Sequence, residues 1–375
     1  LKILGINPNE NIGAVEAYRV VYPLHKMSLL GHQTWVMPAM DVAKMVKDGH
    51  NPFAHLDMVL VQRLTGGGDD WKTFVTAARA AGCSVVVDYD DDYTNEYRRV
   101  CEGGIPDLSY FSAITVSTPY LRRVMRKYNR NVVVIPNLVV PEVINGGFKR
   151  KIGGLCIGLT GSETHREDWQ VVIEPLKQIC QEFPDVSLFV SGYLPDELRS
   201  VPNLVTLRSL GMVPGMETDN FYIPLKEYGF ILRNIDILLA PVDPDDKFNH
   251  SKSNLKAIEG QMSARPVGSA TGGCMVIASG DLPNYQDAIK GGRTGLLVDH
   301  HNQDAWYEAL REVITNPKHR VEMQIAGYES CLKNWNIHTR IGERVAAYHD
   351  ICEWDKRQQP KLAVELAGLA TGVSK

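Results

Sequence analysis

The sequence predicts an α/β protein built from two doubly wound, Rossmann-like domains facing a cleft. Three observations predict it. Short apolar runs alternate with helical patterns over residues 1–145, and strands alternating with helices make a parallel sheet covered on both faces. A connection containing Pro, Gly and Asn, Pro136–Phe148, interrupts that series, and a second series of the same kind follows it. The length, 375 residues, is enough for two domains that each bury a core. The expected borders are 1–145, 146–335 and, for a closing helix and tail, 336–375.

In order, Leu1–Ile6 reads as a strand, followed by a loop rich in Asn and Gly, Asn7–Gly13. A helix is expected over Ala14–Leu30, ended by Gly31. Strands follow at Thr34–Met37, Asp57–Val61, Ser84–Asp88, Ala113–Ser117 and Val132–Ile135, with a helix across Asp70–Ala81. In the second series the strands are Leu155–Leu159, Val186–Val190, Leu204–Leu207, Ile235–Ala240, Met275–Ala278 and Gly295–Val298. Its helices are Asp168–Phe183, Ser253–Ser263, Gln303–Ile314 and Arg320–Cys331. Thr339–Trp354 is a final amphipathic helix, and Lys356–Lys375 is weakly patterned.

Composition narrows the function classes. The chain is 44% hydrophobic and 22% charged, as globular proteins are, and its net charge of -4 gives no support to non-specific nucleic-acid affinity. Seven Cys without a C-x-x-C pair fit free thiols in a reducing compartment. No apolar run reaches the ~18 residues of a membrane span, and the first strand is too short for a signal sequence. A cytoplasmic location is expected. Nothing in the sequence speaks to oligomeric state.

The stretch Phe248–Glu259, FNHSKSNLKAIE, follows a buried-looking strand and the turn Pro241–Asp246. On a helix, Lys252, Lys256 and Glu259 would lie at i, i+4 and i+7 along one face. Lys252 would stand at the helix N-terminus, where backbone N–H groups and the dipole favour an anion. A diphosphate gains both there, and Glu259 would accept from ribose hydroxyls. An ordinary solvated helix face remains the alternative. Asn249-His250-Ser251 matches a glycosylation sequon, which is discounted for want of a secretory signal.

A second stretch, Cys156–Asp168, is a strand running into a small-residue loop and then a helix. Gly161 and Ser162 permit close backbone approach to a ligand, and His165 and Arg166 could contact sugar or phosphate, with a helix-capping or structural role the alternative for His165. Asp88-Tyr89-Asp90-Asp91-Asp92 puts four carboxylates at a strand end. They would repel, raising at least one pKa, and could orient acceptor hydroxyls or serve as a base. A solvated loop is the alternative for each. Tyr120–Arg130 carries five basic residues on a helical pattern and reads as a solvated face, or as a contact for a membrane surface or nucleic acid. Gly66-Gly67-Gly68 has no Lys-Ser/Thr after it and is no Walker loop.

Taken together, these segments resemble retaining glycosyltransferases of the GT-B fold, of the group 1 or family 4 type. They are similar to a branch with a G-S-x-T-H-x-x-D loop, here Gly161–Asp168, and an F-N-x-x-K-S-x-L-K-x-x-E motif, here Phe248–Glu259. Gly13-Ala14 with Tyr18-Arg19, Asp57–Arg63, Val86–Asp92, Thr115–Thr118, Ile135–Asn137, Asn234–Ile237 and Thr294–Val298 match further segments in the expected order. The resemblance covers roughly residues 1–355.

It implies that 1–145 is the acceptor-side domain and 146–335 the nucleotide-sugar domain, with the final helix crossing back onto the first. It implies that Lys252 and Ser253, with Asn254 and Leu255, bind the donor diphosphate, and that Glu259 binds ribose. Gly161, Ser162, His165 and Arg166 would line the sugar-phosphate pocket. Phe221–Pro224 would flank the base, through Ile223. Gly13 would let its loop approach the transferred sugar. Lys252, His165, Asp88 and Asp90 are the expected catalytic set. The donor would be a UDP- or GDP-linked sugar, with no resident cofactor and no metal, although Asp88-Tyr89-Asp90 has the form of the metal motif of the other large glycosyltransferase fold.

The expected reaction is transfer of the sugar to a hydroxyl, with retention. The acceptor is read first as a saccharide or glycolipid. The second reading is a hydroxymethylated DNA base, in the host cytoplasm if phage-encoded, since relatives of this branch occur in phages. A third is a nucleotide-sugar-binding protein that has lost catalysis. Two departures from the pattern stand out. Ser251 occupies the place of a sugar-contacting Glu, and Gly260–Thr271 looks like an insertion before the pattern resumes near Gly272.

Overall fold

The computed structural model describes residues 1–7, 13–64, 70–94, 105–146, 150–210 and 225–370. The chain divides by contacts into one unit of residues 1–136 with 340–375 and another of residues 137–339. The border near 145 that the sequence suggests lies inside the second unit. Val139 and Ile144 belong to that unit's core, and Val139 exchanges backbone hydrogen bonds with Trp335 and Ile337. A short helix, Pro141–Ile144, packs on the helix Leu225–Asn234, where a Cβ at Gly229 would strike the carbonyl of Ile144.

Six strands make the sheet of the first unit: β1 (Lys2–Asn7), β2 (Gln33–Pro38), β3 (Met58–Gln62), β4 (Ser84–Tyr89), β5 (Ala113–Val116) and β6 (Val132–Val134). They are parallel, in the order β2-β1-β3-β4-β5-β6. β3, β4 and β5 are buried along their whole length, which is why they read as unbroken apolar runs. Leu4, Val59, Val85, Val87 and Ile114 face a core shared with Trp71, Val75 and Ala78 of the helix Asp70–Ala80. The helix Ala39–Lys47, absent from the sequence reading, buries Val42 alone among its residues and so carries a thin apolar signal.

The helix expected over 14–30 is present but irregular. Ala14–Glu16 and Tyr22–Leu29 are α-helical, and Ala17–Val21 between them is π-helical. Pro23 explains part of this. It has no N–H to give the carbonyl of Arg19 one turn back. Arg344 also donates to that carbonyl, its Nη1 lying 2.7 Å away. Gly31 then ends the helix at φ +90°, where a side chain would be strained. Asp355, in the same late helix as Arg344 (Ile337–Ala370), accepts from Arg79 at 2.8 Å and from Ser84 at 3.0 Å.

In the second unit the strands are β7 (Cys156–Gly161), β8 (Ser187–Gly192), β9 (Leu204–Thr206), β10 (Ile237–Ala240), β11 (Arg265–Val267), β12 (Ala270–Gly272), β13 (Met275–Ser279) and β14 (Leu296–Val298). Six form a parallel sheet in the order β14-β13-β10-β7-β8-β9, and β11 and β12 pair as a separate antiparallel hairpin. Residues of β10 alternate between two cores. Ile237 and Leu239 pack with the helices Gln170–Glu182 and Gln303–Thr315, while Leu238 and Ala240 pack with Leu225–Asn234 and Leu255–Met262. The stretch Gly260–Thr271 is thus the end of one helix followed by this hairpin, which turns at Gly268 with φ +62°.

Candidate functional site

In the second unit β7 comes first, β8 and β9 are laid down on one side of it, and the chain returns to place β10 on the other. The loops leaving β7 and β10 therefore diverge, and the crevice between them is where ligands of doubly wound sheets bind. The two stretches that the sequence singles out, Gly161–Asp168 and Phe248–Glu259, are those loops. Packing there is close. A Cβ on Gly161 would lie 2.7 Å from His165 Cδ2, and one on Gly192, at φ +96°, would strike the Gly161 carbonyl. Tyr193 N–H donates to that same carbonyl at 2.8 Å.

Asp168 ties the two loops together. Its Oδ2 meets His165 Nδ1 at 2.7 Å, and its Oδ1 accepts from Asn249 Nδ2 at 2.7 Å and from the Asp243 amide at 2.9 Å. Burial alone would raise the Asp168 pKa; the bonds from His165 and Asp243 bring it below the usual range. Burial, aided by the charge of Lys256 and opposed by the bond to Asp168, lowers His165 to about 4. The imidazole is therefore neutral near pH 7. With an ionised partner at Nδ1 it carries its proton there, and Nε2 is an acceptor. Its ring lies nearly parallel to Trp169, at 7° and 6.3 Å.

The donor-motif residues are arranged differently from expectation. Lys247–Ser251 is a turn of 3-10 helix, started by the Asp246 side chain accepting from the Phe248 amide, and the α-helix begins only at Leu255. Lys252 is thus in the link ahead of the helix and not on its face. Its Nζ sits 4.6 Å from the Phe248 ring centre, and Asn284 donates to its carbonyl at 2.6 Å. Ser253 Oγ accepts from Asn137 at 2.9 Å, and Asn254 caps the helix by position without a side-chain bond. Lys256, which the sequence noted only for its spacing, reaches into the crevice floor and donates to the Thr160 carbonyl at 2.6 Å. Burial lowers its pKa to about 8, with Asp168 opposing. Glu259 is buried one turn on, beside Tyr228, whose hydroxyl is pushed up first by burial and then by Glu259.

Ser251 is fully buried and donates to the Phe248 carbonyl at 2.6 Å, so it closes the turn. Ser162 is exposed and shares a hydrogen bond with Thr164. Arg166 lies over the Tyr193 ring and donates to its hydroxyl at 2.9 Å. Asp243, Asp245 and His301 bring one ligand atom each to within 4.8 Å of one another on neighbouring loops, the one such cluster among the described residues. Phe221–Pro224, with Ile223, lies outside the described residues, as does Gly66-Gly67-Gly68.

In the first unit, Asp88 and Asp90 part company. Asp88 is buried and held at both oxygens by Arg19, at 2.9 and 2.7 Å, with Thr115 donating at 2.6 Å. Both oxygens of Asp88 are thus engaged, by Arg19 and Thr115. Asp90 is also buried, and its pKa is raised by that burial against the opposing charge of Arg19. Gly13 precedes the first helix and accepts from the Ala17 amide at 3.0 Å. The basic segment is helical only over Pro119–Met125, capped by Thr118, with Arg122 and Arg123 exposed.

No family model matches the chain. It is 25% identical over 258 residues to a D-inositol 3-phosphate glycosyltransferase of Corynebacterium diphtheriae, in a match covering 64% of this chain and 56% of that one. The chain thus spans a little over half the length of that relative. A glycosyltransferase of Rickettsia africae matches in structure with a TM-score of 0.60 at 14% identity, covering 93% of this chain and 98% of that one. Anabaena HepE in complex with UDP and glucose matches with a TM-score of 0.60 at 12% identity, covering 92% and 98%. The chain has the GT-B glycosyltransferase fold. The crevice between the loops after β7 and β10 lies at the topological switch point of that unit's sheet. No helix among the described residues is long and apolar enough to cross a membrane.

Proposed function

We propose that this chain is a glycosyltransferase that moves a sugar from a nucleoside-diphosphate sugar, UDP- or GDP-linked, to a hydroxyl of a saccharide or glycolipid, with retention. The observation that carries this is the convergence of Lys252, Lys256 and neutral His165 around the Gly161 loop at the switch point. Two ammonium groups beside a floor of backbone suit a diphosphate leaving group. Charge that develops there as the glycosidic bond breaks is offset by groups already in place. Because His165 Nε2 is an acceptor, it suits a sugar hydroxyl and not a phosphate oxygen. Glu259, beyond the diphosphate, is the acceptor for ribose. The complex of HepE with UDP-glucose supports a nucleotide-sugar reading.

Ser251 favours a second reading. Its hydroxyl is committed to the Phe248 carbonyl, in the place where the resemblance leads one to expect a Glu on the transferred sugar. A protein that binds nucleotide-sugars without transferring them would share this feature. Slow hydrolysis of a nucleotide-sugar in the absence of acceptor would eliminate that reading.

The donor site is tested with Lys252→Ala. Turnover of the nucleotide-sugar that most raises the melting temperature is expected to fall by roughly a hundredfold or more, with the unliganded melting temperature unchanged. Near-normal turnover by the variant sinks the assignment.

A further inference from the structure

A second pocket, of about 490 Å³, opens in the same unit near the residues that lead into the sheet strands. Leu155 and Asp236 stand just ahead of β7 and β10, so this pocket is at the strand starts, whereas the Gly161 and Lys252 loops are at the strand ends. Four arginines line it, Arg150, Arg233, Arg265 and Arg320, against one carboxylate, Asp236.

The charges do not cancel. Arg150 takes Asp236 bidentately, at 2.7 and 2.6 Å. Arg265 reaches Asp236 Oδ1 only at 3.4 Å and gives its other bonds to the Ile235 and Leu232 carbonyls, to Ser263 and to Cys274 Sγ. Arg233 and Arg320 have no carboxylate partner among the ion pairs of the described residues. Each spends one nitrogen, Nη1, on backbone carbonyls: Arg233 on Ala264, and Arg320 on Val313 and Ile314. Burial lowers the Arg320 pKa, with Asp236 opposing, as expected of a desolvated guanidinium short of counter-charge. Capping of helix ends accounts for one nitrogen of each, and leaves the rest of two planar, fork-shaped donors.

We propose that this pocket is a binding site for a small phosphate-bearing anion, held by the guanidinium groups of Arg233 and Arg320 and separate from the nucleotide-sugar site. Guanidinium forks match phosphate oxygens two at a time, and the volume is that of a small-molecule site. The anion is either free inorganic phosphate or the phosphate of an organic ester, and both present the same oxygens.

Calorimetric titration at constant ionic strength tests this, with inorganic phosphate, glucose 6-phosphate and sodium chloride as probes. Lys252→Ala serves as the background in which the nucleotide site is crippled. Saturable binding of phosphate or of the ester is expected in that background, weakened by roughly tenfold to a hundredfold in Arg320→Gln. Arg233→Gln, which disturbs a different helix end, repeats the test should Arg320→Gln melt early. Tighter binding of phosphate assigns the free ion, and tighter binding of glucose 6-phosphate assigns an ester. The proposal is overturned if neither binds beyond the chloride control, if both arginine variants bind as before, or if Lys252→Ala alone abolishes binding. Because that background lacks the Lys252 ammonium, failure here leaves the nucleotide-sugar site untouched.

Discussion

At the end of β4, Asp88 is enclosed: both its oxygens are taken by Arg19, and neither side chain is more than 1% exposed. At the end of β7, Asp168 is just as buried, yet its partners are the mobile-proton ring of His165 and the amides of a neighbouring loop. Both strands belong to parallel sheets of six; Asp88 lies within β4, and Asp168 in the loop that leaves β7. The difference is in what the carboxylate neutralises. Asp88 cancels a permanent cation and turns the edge of its sheet into a strut. Asp168 polarises a titratable ring and fixes two loops, with Lys256 close by. The doubly wound architecture decides where loops emerge; the counter-ion decides whether the carboxylate there is locked to a fixed charge or shares a titratable proton.

The comparison can be broken by substitution. The largest effect is expected from Asp88→Asn, which strands the buried Arg19 charge and should cost about 3–5 kcal/mol in urea unfolding. A loss below about 1 kcal/mol would mean that Asp88 is not a strut. Asp168→Asn should cost less, about 1–3 kcal/mol, because its main partner is a neutral imidazole. That variant should also lose nucleotide-sugar turnover, since the ring would no longer be held in one tautomer. Equal destabilisation by the two variants would erase the distinction.

Proton linkage gives a finer test. His165 titrates near 4 in the folded protein, below the ordinary histidine value of about 6.5. Between these values the unfolded chain binds the extra proton, so stability rises with pH across that window and is lost as pH falls from about 6.5 toward 4. His165→Gln should flatten this slope by at most about 1.4 kcal/mol per pH unit. An unchanged slope would show that the ring titrates normally. A last test concerns Lys256, which burial brings down to about 8. A bound diphosphate would hold its proton, so nucleotide affinity should fall by up to about tenfold per pH unit above 8. Lys256→Met should remove that dependence, and persistence of it would place the titrating group elsewhere.

Much of the fold was legible because β3, β4 and β10 are buried on both faces and so read as apolar runs. The hairpin of β11 and β12 was not, since Ala270 and Thr271 are exposed and its short strands carry no period. Within the site, residue types and loops were legible, but charge state was not. Asp88 and Asp90 look alike in sequence, and what separates them is Arg19, which lies 69 residues before Asp88. Lys252 was read one structural step too far: the turn closed by Asp246 and Ser251 stops the chain from entering a helix until Leu255. Lys256 could have been found from its i, i+4 relation to Lys252, had its depth been visible.

The bond from Arg344 to the Arg19 carbonyl has a temporal side. The same is true of Asp355, which satisfies Arg79 and Ser84. These donors and acceptors enter the first unit from residues made after the whole second unit. At ordinary synthesis rates, the roughly 200 intervening residues take about 10–40 s to appear. Throughout that interval the Arg19 carbonyl lacks its bond from Arg344, and Arg79 lacks its carboxylate. The second unit, contiguous from 137 to 339, has no such wait. Though begun later, it is the part of this chain that can close first.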